Sequence, residues 1–376
     1  MSDIISKSEI YMLIKGTGYQ DILYSNFYTE PSEVWVNGVY NASCKKRCNM
    51  DYDINNVTLI FNENLNSCEV MFYGNIIEID LSNFDASKVT NMFSMFSCCY
   101  YLTKIKFGNI NTSSVKDISY LFYNCTNLIN IDLLNFDTSS VTTMASMFAS
   151  CKSIKFIDAS SFNTSNVENM EDIFSECWNL VYVNVSSFDT SKVIKMNGMF
   201  SACGNIKYID LHNFSGNSVI KMNHMFFNCV NLKMLNFLNF IGEIITYADN
   251  NMGWMDYGIT KGSYKFCTSD YKLKSKLEKG KLDCDNLCFK GNYKFNMGTN
   301  VCVEYCENYE FKNLCYNSCP NNTYIFINQK CSDILPENYY LDNNDNIYKE
   351  CYQSCKKCHQ SGTEAHNNCD ECKDGF

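Results

Sequence analysis

The chain has 376 residues, a formal net charge of −10 and 46% hydrophobic residues. That length leaves room for two or three structural units, and the apolar content allows a sizeable core. The acidic balance excludes a nucleic-acid partner, whose phosphates need clustered Lys and Arg. Seven lysines gather between Lys261 and Lys281, but their polar setting reads as a solvated linker.

Residues 1–67 open the chain with period-2 patches, Ile10-Tyr11-Met12-Leu13-Ile14 and Val57-Thr58-Leu59-Ile60-Phe61. These read as strands of a β-rich cap over the first apolar face of a repeat array, with Cys44, Cys48 and Cys68 placed to staple it. The first twenty residues hold no apolar h-region, and the chain has no run of 18 or more apolar residues. Targeting and anchoring segments are therefore expected outside this chain.

From Cys68 to Phe240 a pattern repeats. Phe96/Cys99, Phe122/Cys125, Phe148/Cys151, Phe174/Cys177, Phe200/Cys203 and Phe226/Cys229 recur every 26 residues. A fixed period of this size marks stacked coils that bury their apolar faces only against each other. In the coil that starts at Asn127, Ile131 and Leu133 alternate with polar neighbours as in a strand. Val141, Met144, Met147, Phe148 and Cys151 then fall at offsets 0, 3, 6, 7 and 10, the stripe of a three-turn helix. Asp85, Asn111, Asp137, Asn163, Asp189 and Ser215 precede these stripes, where helix N-caps stand. The expected fold is α/β. Helices should start near Val89, Val115, Val141, Val167, Val193 and Val219, and Ile79, Ile105, Ile131, Ile157, Val183, Ile209 and Leu235 should point inward from parallel strands.

The phrase L-x-x-I-x-L-x-x-F resembles the strand signature of leucine-rich repeats. The run from Ile131 to Thr142, with Met147, Phe148 and Cys151, is similar to the BspA-like leucine-rich repeats of microbial and protozoan surface proteins. That resemblance covers residues 68–240. It implies a right-handed strand-plus-helix solenoid and a cell-surface or secreted adhesion protein.

Residues 241–283 read as a linker, and residues 284–376 as a cysteine-rich region that ends soon after a C-x2-C, like a repeat cut short. Twelve cysteines, Cys284, Cys288, Cys302, Cys306, Cys315, Cys319, Cys331, Cys351, Cys355, Cys358, Cys369 and Cys372, come in close groups there. The spacing resembles growth-factor-receptor and furin-like repeats, loop-rich rods held by disulfides in an oxidising compartment. Connectivity is not readable from spacing. The Cys355/Cys358 and Cys369/Cys372 pairs could instead hold zinc. The array cysteines Cys99, Cys125, Cys151, Cys177, Cys203 and Cys229 are expected to be buried thiols, with inter-coil disulfides as the alternative.

The exposed strand positions supply the candidate ligand site. Phe156, Tyr182 and Tyr208 line up in one column, with Asp132, Asp158 and Asp210 in the next. Clustered open aromatics mark contact surfaces, whereas Asp alone serves to keep a sheet soluble. No catalytic motif occurs, so neither an enzyme nor a cofactor is expected. The expected partner is a protein or glycan on a host or matrix surface, bound by a membrane-anchored or secreted chain. Eight Asn-x-Ser/Thr sequons, at Asn41, Asn56, Asn111, Asn124, Asn163, Asn184, Asn213 and Asn321, permit that location. The competing reading is an intracellular scaffold with a zinc-binding tail.

Overall fold

The computed structural model describes residues 8–241, 255–268, 277, 280–282 and ten short strand segments between 294 and 372. Two compact units emerge, Met1–Cys284 and Asp285–Phe376.

The first unit opens with alternating strands β1 (Ser8–Lys15), β2 (Gly18–Asp21), β3 (Glu33–Val36), β4 (Val39–Tyr40), β5 (Arg47–Met50) and β6 (Ile54–Phe61). Ile10, Met12 and Ile14 of β1 and Val57 and Leu59 of β6 point into the core, as a period of two requires. Strand β1 then pairs antiparallel with β7 (Ile76–Asp80), the first strand of the coils, and β7 pairs parallel with β8 (Lys104–Lys106). The cap is thus hydrogen-bonded into the array, giving one six-stranded sheet in the order β4-β3-β6-β1-β7-β8. A disulfide joins Cys44 to Cys48, while Cys68 stays a buried free thiol.

Later coils add β9 (Phe156–Asp158) paired parallel with β10 (Tyr182–Asn184), and, in another sheet, β11 (Tyr208–Asp210) paired parallel with β12 (Met234–Phe237). Strands β13 (Lys265–Thr268) and β14 (Lys281–Leu282), within the stretch read as a linker, extend it in parallel beyond β12. The inward residues Ile79, Ile105, Ile157, Val183, Ile209 and Leu235 are buried. Ile131 is only partly buried, and its segment forms no strand. The coil that shows the strand pattern most plainly in sequence is a gap in the ladder, with Ile129 and Leu134 exposed.

The expected helices do not exist. No helix occurs among the described residues, and the strand-plus-helix solenoid is replaced by a β-rich stack of coils. Where the helix was expected, the backbone runs through successive tight turns. Met95, Ser97, Cys99 and Leu102 each donate to the carbonyl three residues back, at 3.1–3.2 Å. Between them, the N–H groups of Met92, Ser94, Phe96 and Cys98 donate into the next coil, to Asp117, Ser119, Leu121 and Tyr123, at 2.8–3.0 Å. Ser94 and Cys98 hold φ of 55° and 59°, and the same two slots are left-handed in the following coils. A positive φ at the third residue of a four-residue turn is the type II arrangement, and it turns alternate N–H groups outward along the stack. A second parallel ladder results, running through Ser67, Asn91, Asp117, Thr143, Asn169, Lys195 and Lys221.

Each of these turns brings residues three apart together, Met144 with Met147 and Phe148 with Cys151, so an apolar stripe at those offsets suits them as well as it suits a helix. The Asp/Asn slot read as an N-cap also keeps its chemistry and changes its context. Asp85, Asn111, Asp137, Asn163 and Asp189 each accept the N–H two residues ahead, at 2.8–3.2 Å, in Asx turns at the coil corners.

Side-chain stacks fill the interior. Rings of Phe72, Phe96, Phe122, Phe148, Phe174, Phe200 and Phe226 follow one another at centroid distances of 5.3–6.1 Å. Buried Thr112, Thr138, Thr164 and Thr190 close the corners by donating Oγ1 to a carbonyl of the next coil, at 2.9–3.0 Å. A polar group this deep is tolerated because its hydrogen bond is made.

The second unit contains short strands only, β15 (Lys294–Asn296), β16 (Cys302–Val303), β17 (Tyr309–Phe311), β18 (Leu314–Tyr316), β19 (Tyr324–Ile325), β20 (Cys331–Ser332), β21 (Tyr339–Asp342), β22 (Ile347–Glu350), β23 (Cys355–Cys358) and β24 (Cys369–Cys372), in small sheets.

Candidate functional site

The face built by β7 to β11 carries the sequence-derived site. Its cap end holds an open groove of about 150 Å³, lined by Tyr11, Asn56, Glu78, Asp80, Lys104 and Lys106 among others. Two ion pairs span adjacent strands, Lys104–Glu78 at 4.0 Å and Lys106–Asp80 at 3.1 Å. Solvent-exposed pairs like these contribute little stability, so they are better regarded as surface chemistry. Partial burial pulls the Asp80 carboxyl up, but the Ser82 hydrogen bonds and then the Lys106 ammonium together outweigh it and hold the group below its ordinary value.

Farther along the same face stand Phe156, Tyr182 and Tyr208. Strand register sets Tyr182 beside Phe156. All three are half-buried, not open as the sequence suggested, because side chains one strand spacing apart shade one another. Burial, then the charges of Asp158 and Asp210, push the Tyr182 phenol well above its ordinary range. Tyr208 is raised in the same way by burial and by Asp210, to which it is hydrogen-bonded. Both hydroxyls therefore stay protonated.

The acidic column does structural work. Asp132, Asp158 and Asp210 accept the N–H two residues ahead, from Leu134, Ser160 and His212, at 3.0–3.2 Å. Asp158 and Asp210 so end their strands in Asx turns, and Asp132 makes the same turn in the coil that lacks a strand. Asp158 also receives Asn184 Nδ2 at 3.1 Å, and Asp210 meets His212 Nδ1 at 2.9 Å. That second hydrogen bond raises the His212 pKa against the lowering effect of its partial burial. A partner on this face would therefore meet carboxylates that are fixed in direction and already share one acceptor oxygen with the backbone.

A tyrosine cluster at the cap end of the array went unseen in the sequence. Tyr24, Tyr73 and Tyr100 follow one another at 5.5 and 6.2 Å, with Tyr73 43% and Tyr100 36% exposed. These rings come from the cap and two different coils at unrelated repeat positions, so no column announces them.

Cys99, Cys125, Cys151, Cys177, Cys203 and Cys229 are free and buried. From Cys125 onward each Sγ donates to the carbonyl of the Phe one coil back, Phe96 to Phe200, at 2.9–3.1 Å. Burial pushes the Cys177 and Cys229 thiols up to about 12, so these sulfurs are neutral packing groups. No group of three or more His, Cys, Asp or Glu able to hold a metal ion occurs among the described residues.

In the tail, Cys331 is disulfide-bonded, as is Cys267 of the first unit. The antiparallel register of β23 and β24 sets Cys355 opposite Cys372 and Cys358 opposite Cys369. Cys302 and Cys315 lie on β16 and β18, whereas Cys284, Cys288, Cys306, Cys319 and Cys351 fall outside the described residues.

A stack of coils hydrogen-bonded to one another and carrying a long polar and aromatic face is the architecture of a repeat-type β-protein. Residues 44–156 and 150–241, just over half the chain together, match the model of the family described as Mycoplasma protein of unknown function, DUF285. The chain belongs to that family, which is found in BspA-like surface proteins of repeat type. No curated protein matches the chain.

Proposed function

We propose that this protein is a cell-surface or secreted recognition protein that holds a protein or glycan of a host or matrix surface on the face built by β7 to β11. The observation that carries the reading is the row of aromatic and polar groups that successive coils set along that face. It runs from the groove between Tyr11, Glu78 and Lys104 to the half-buried rings of Phe156, Tyr182 and Tyr208 between fixed carboxylates. Partly covered aromatics ringed by polar groups are what contact surfaces share. The Tyr182 phenol, which stays protonated, can donate to carbonyl and hydroxyl oxygens, and Tyr208, whose proton goes to Asp210, can accept, while the lysines and carboxylates of the groove suit zwitterionic or polar partners.

The disulfide at Cys44–Cys48 and the bonded Cys267 and Cys331 support an oxidising compartment. They weigh against the intracellular zinc scaffold. Resemblance of the tail spacing to furin-like repeats adds a stalk to the reading.

Immobilised glycans and matrix proteins, probed with the full chain, provide the test. Tyr182→Ala with Tyr208→Ala should weaken capture at least tenfold, while Tyr73→Ala with Tyr100→Ala leaves it unchanged. The reverse pattern would move the contact to the cap-end tyrosine cluster and sink the strand-face assignment. Unfolding temperatures of both variants are needed alongside, because Tyr182 and Tyr208 are half-buried.

A further inference from the structure

The sequons look alike in sequence, but the folded coils treat them differently. Asn111 and Asn163 occupy the same corner slot two coils apart, and both are exposed. The Oδ1 of Asn111 accepts the N–H and hydroxyl of Ser113 at 3.2 and 2.7 Å. Asn163 does the same with Ser165, at 3.1 and 2.8 Å. The oxygen of each amide thus holds the turn, and among the described residues neither Nδ2 has a protein partner.

Asn213 is the opposite case. Its Nδ2 donates to the carbonyls of Val185, Ser186 and Phe188 at 3.2, 3.1 and 2.8 Å, and its Oδ1 is buried. Its amide pins one coil to the one before it. Asn184 spends its Nδ2 on Asp158. A sugar on Nδ2 removes one of two N–H donors and adds a group many times the size of the amide. At Asn213 that group would displace the donor shared by three carbonyls, two of them on buried Val185 and Phe188, and a covered acceptor that loses its donor is costly.

We propose that Asn111 and Asn163 are N-glycan attachment sites, and that the Asn213 sequon must stay bare for the coils to close. The proposal rests on the secretion reading above. In the attachment, Nδ2 bonds to C1 of an oligosaccharide carried on a polyprenyl pyrophosphate. The C1–O bond breaks, the pyrophosphate leaves with the electron pair, and one amide proton passes to the transferring enzyme. A glycan on Asn184, which shares β10 with Tyr182, would instead stand on the proposed contact face.

Transfer takes place on chains still unfolded, so any molecule modified at Asn213 is lost to misfolding. Ser215→Ala removes that sequon and keeps the Asn213 amide. The full chain, placed behind a cleavable leader in a eukaryotic host that performs this transfer, should be secreted with glycans on Asn111 and Asn163 and none on Asn213. Ser215→Ala should raise the secreted yield without changing the mass of the attached glycans, and Asn111→Gln with Asn163→Gln should remove two glycans. Bare Asn111 and Asn163 would overturn the proposal. So would a glycan on Asn213 in protein that unfolds at the temperature of its deglycosylated form. The leader imposes entry, so the result does not depend on the native location. Biotin labelling of intact source cells, together with a search of their medium, tests that location separately, and a chain found in neither overturns the secretion reading.

Discussion

Replacing Phe148 by Ala removes the middle ring of the longest aromatic stack. Phe148 is 1% exposed and lies 5.3 Å from Phe122 and 6.1 Å from Phe174. Truncating a fully buried Phe costs ~3–5 kcal/mol through lost transfer energy and the cavity left behind. The higher end is expected here. The neighbouring rings belong to other coils held by the bonds Phe122 N–H to Met147 O and Phe148 N–H to Ile173 O, at 2.8 and 2.9 Å, so the site cannot collapse easily. For an array of this size ~1 kcal/mol corresponds to roughly 2–4 °C, so the unfolding temperature should fall by about 10 °C or more. Circular dichroism of the full chain, with the fluorescence of its three tryptophans, Trp178 among them one coil on, measures it. Both probes should shift together, since coils without their neighbours cannot bury their faces. A loss under ~1 kcal/mol, the size of a surface substitution, would refute the stacked interior.

Two further outcomes concern buried ionisable groups. Iodoacetamide on the native chain should label partly exposed Cys98 and spare Cys99, Cys125, Cys151, Cys177, Cys203 and Cys229 until denaturant is added; equal labelling of Cys151 and Cys98 would put the thiol column at the surface. Asp172 is raised above the carboxylate range, first by burial and then by Glu171 and Glu176, against opposing help from Ser175 and His224. A carboxyl raised on folding contributes stability at low pH that is lost as pH climbs through its folded value. Asp172→Asn should therefore raise the unfolding temperature at neutral pH, helped by the tolerance of Asn for the φ of 54° held there. An unchanged or lower value would show that the charge is satisfied.

How much of the fold is legible in sequence can be argued from single residues. Ile10, Met12 and Ile14 announce the cap by alternation, and the 26-residue recurrence of Phe and Cys announces stacked coils. The helix expectation fails because Val141, Met144, Met147 and Phe148 have a spacing common to helices and to consecutive turns. What separates the two is the left-handed pair of slots, and those hold Ser146 and Ser150, then Asp172 and Glu176, then Gly198 and Ala202. Gly198, Asn124 and Asn228 favour a positive φ but most of the other occupants do not, so one coil read alone does not show it. The density of Ser, Thr and Asn through these stretches, poor helix formers all, is the signal that sequence does offer. The candidate site is legible as columns but not as exposure. Sequence places Tyr182 and Tyr208 side by side, yet only the structure shows how far neighbouring side chains cover them and how Asp158 and Asp210 spend an oxygen on strand-ending turns.

Scalar coupling across a hydrogen bond, detected by a long-range HNCO experiment on the deuterated chain, tests the coil architecture most directly. The stacked-turn account predicts a correlation from the Phe148 amide to the Ile173 carbonyl, one coil ahead. A correlation to the Met144 carbonyl, four residues back as in an α-helix, would contradict it.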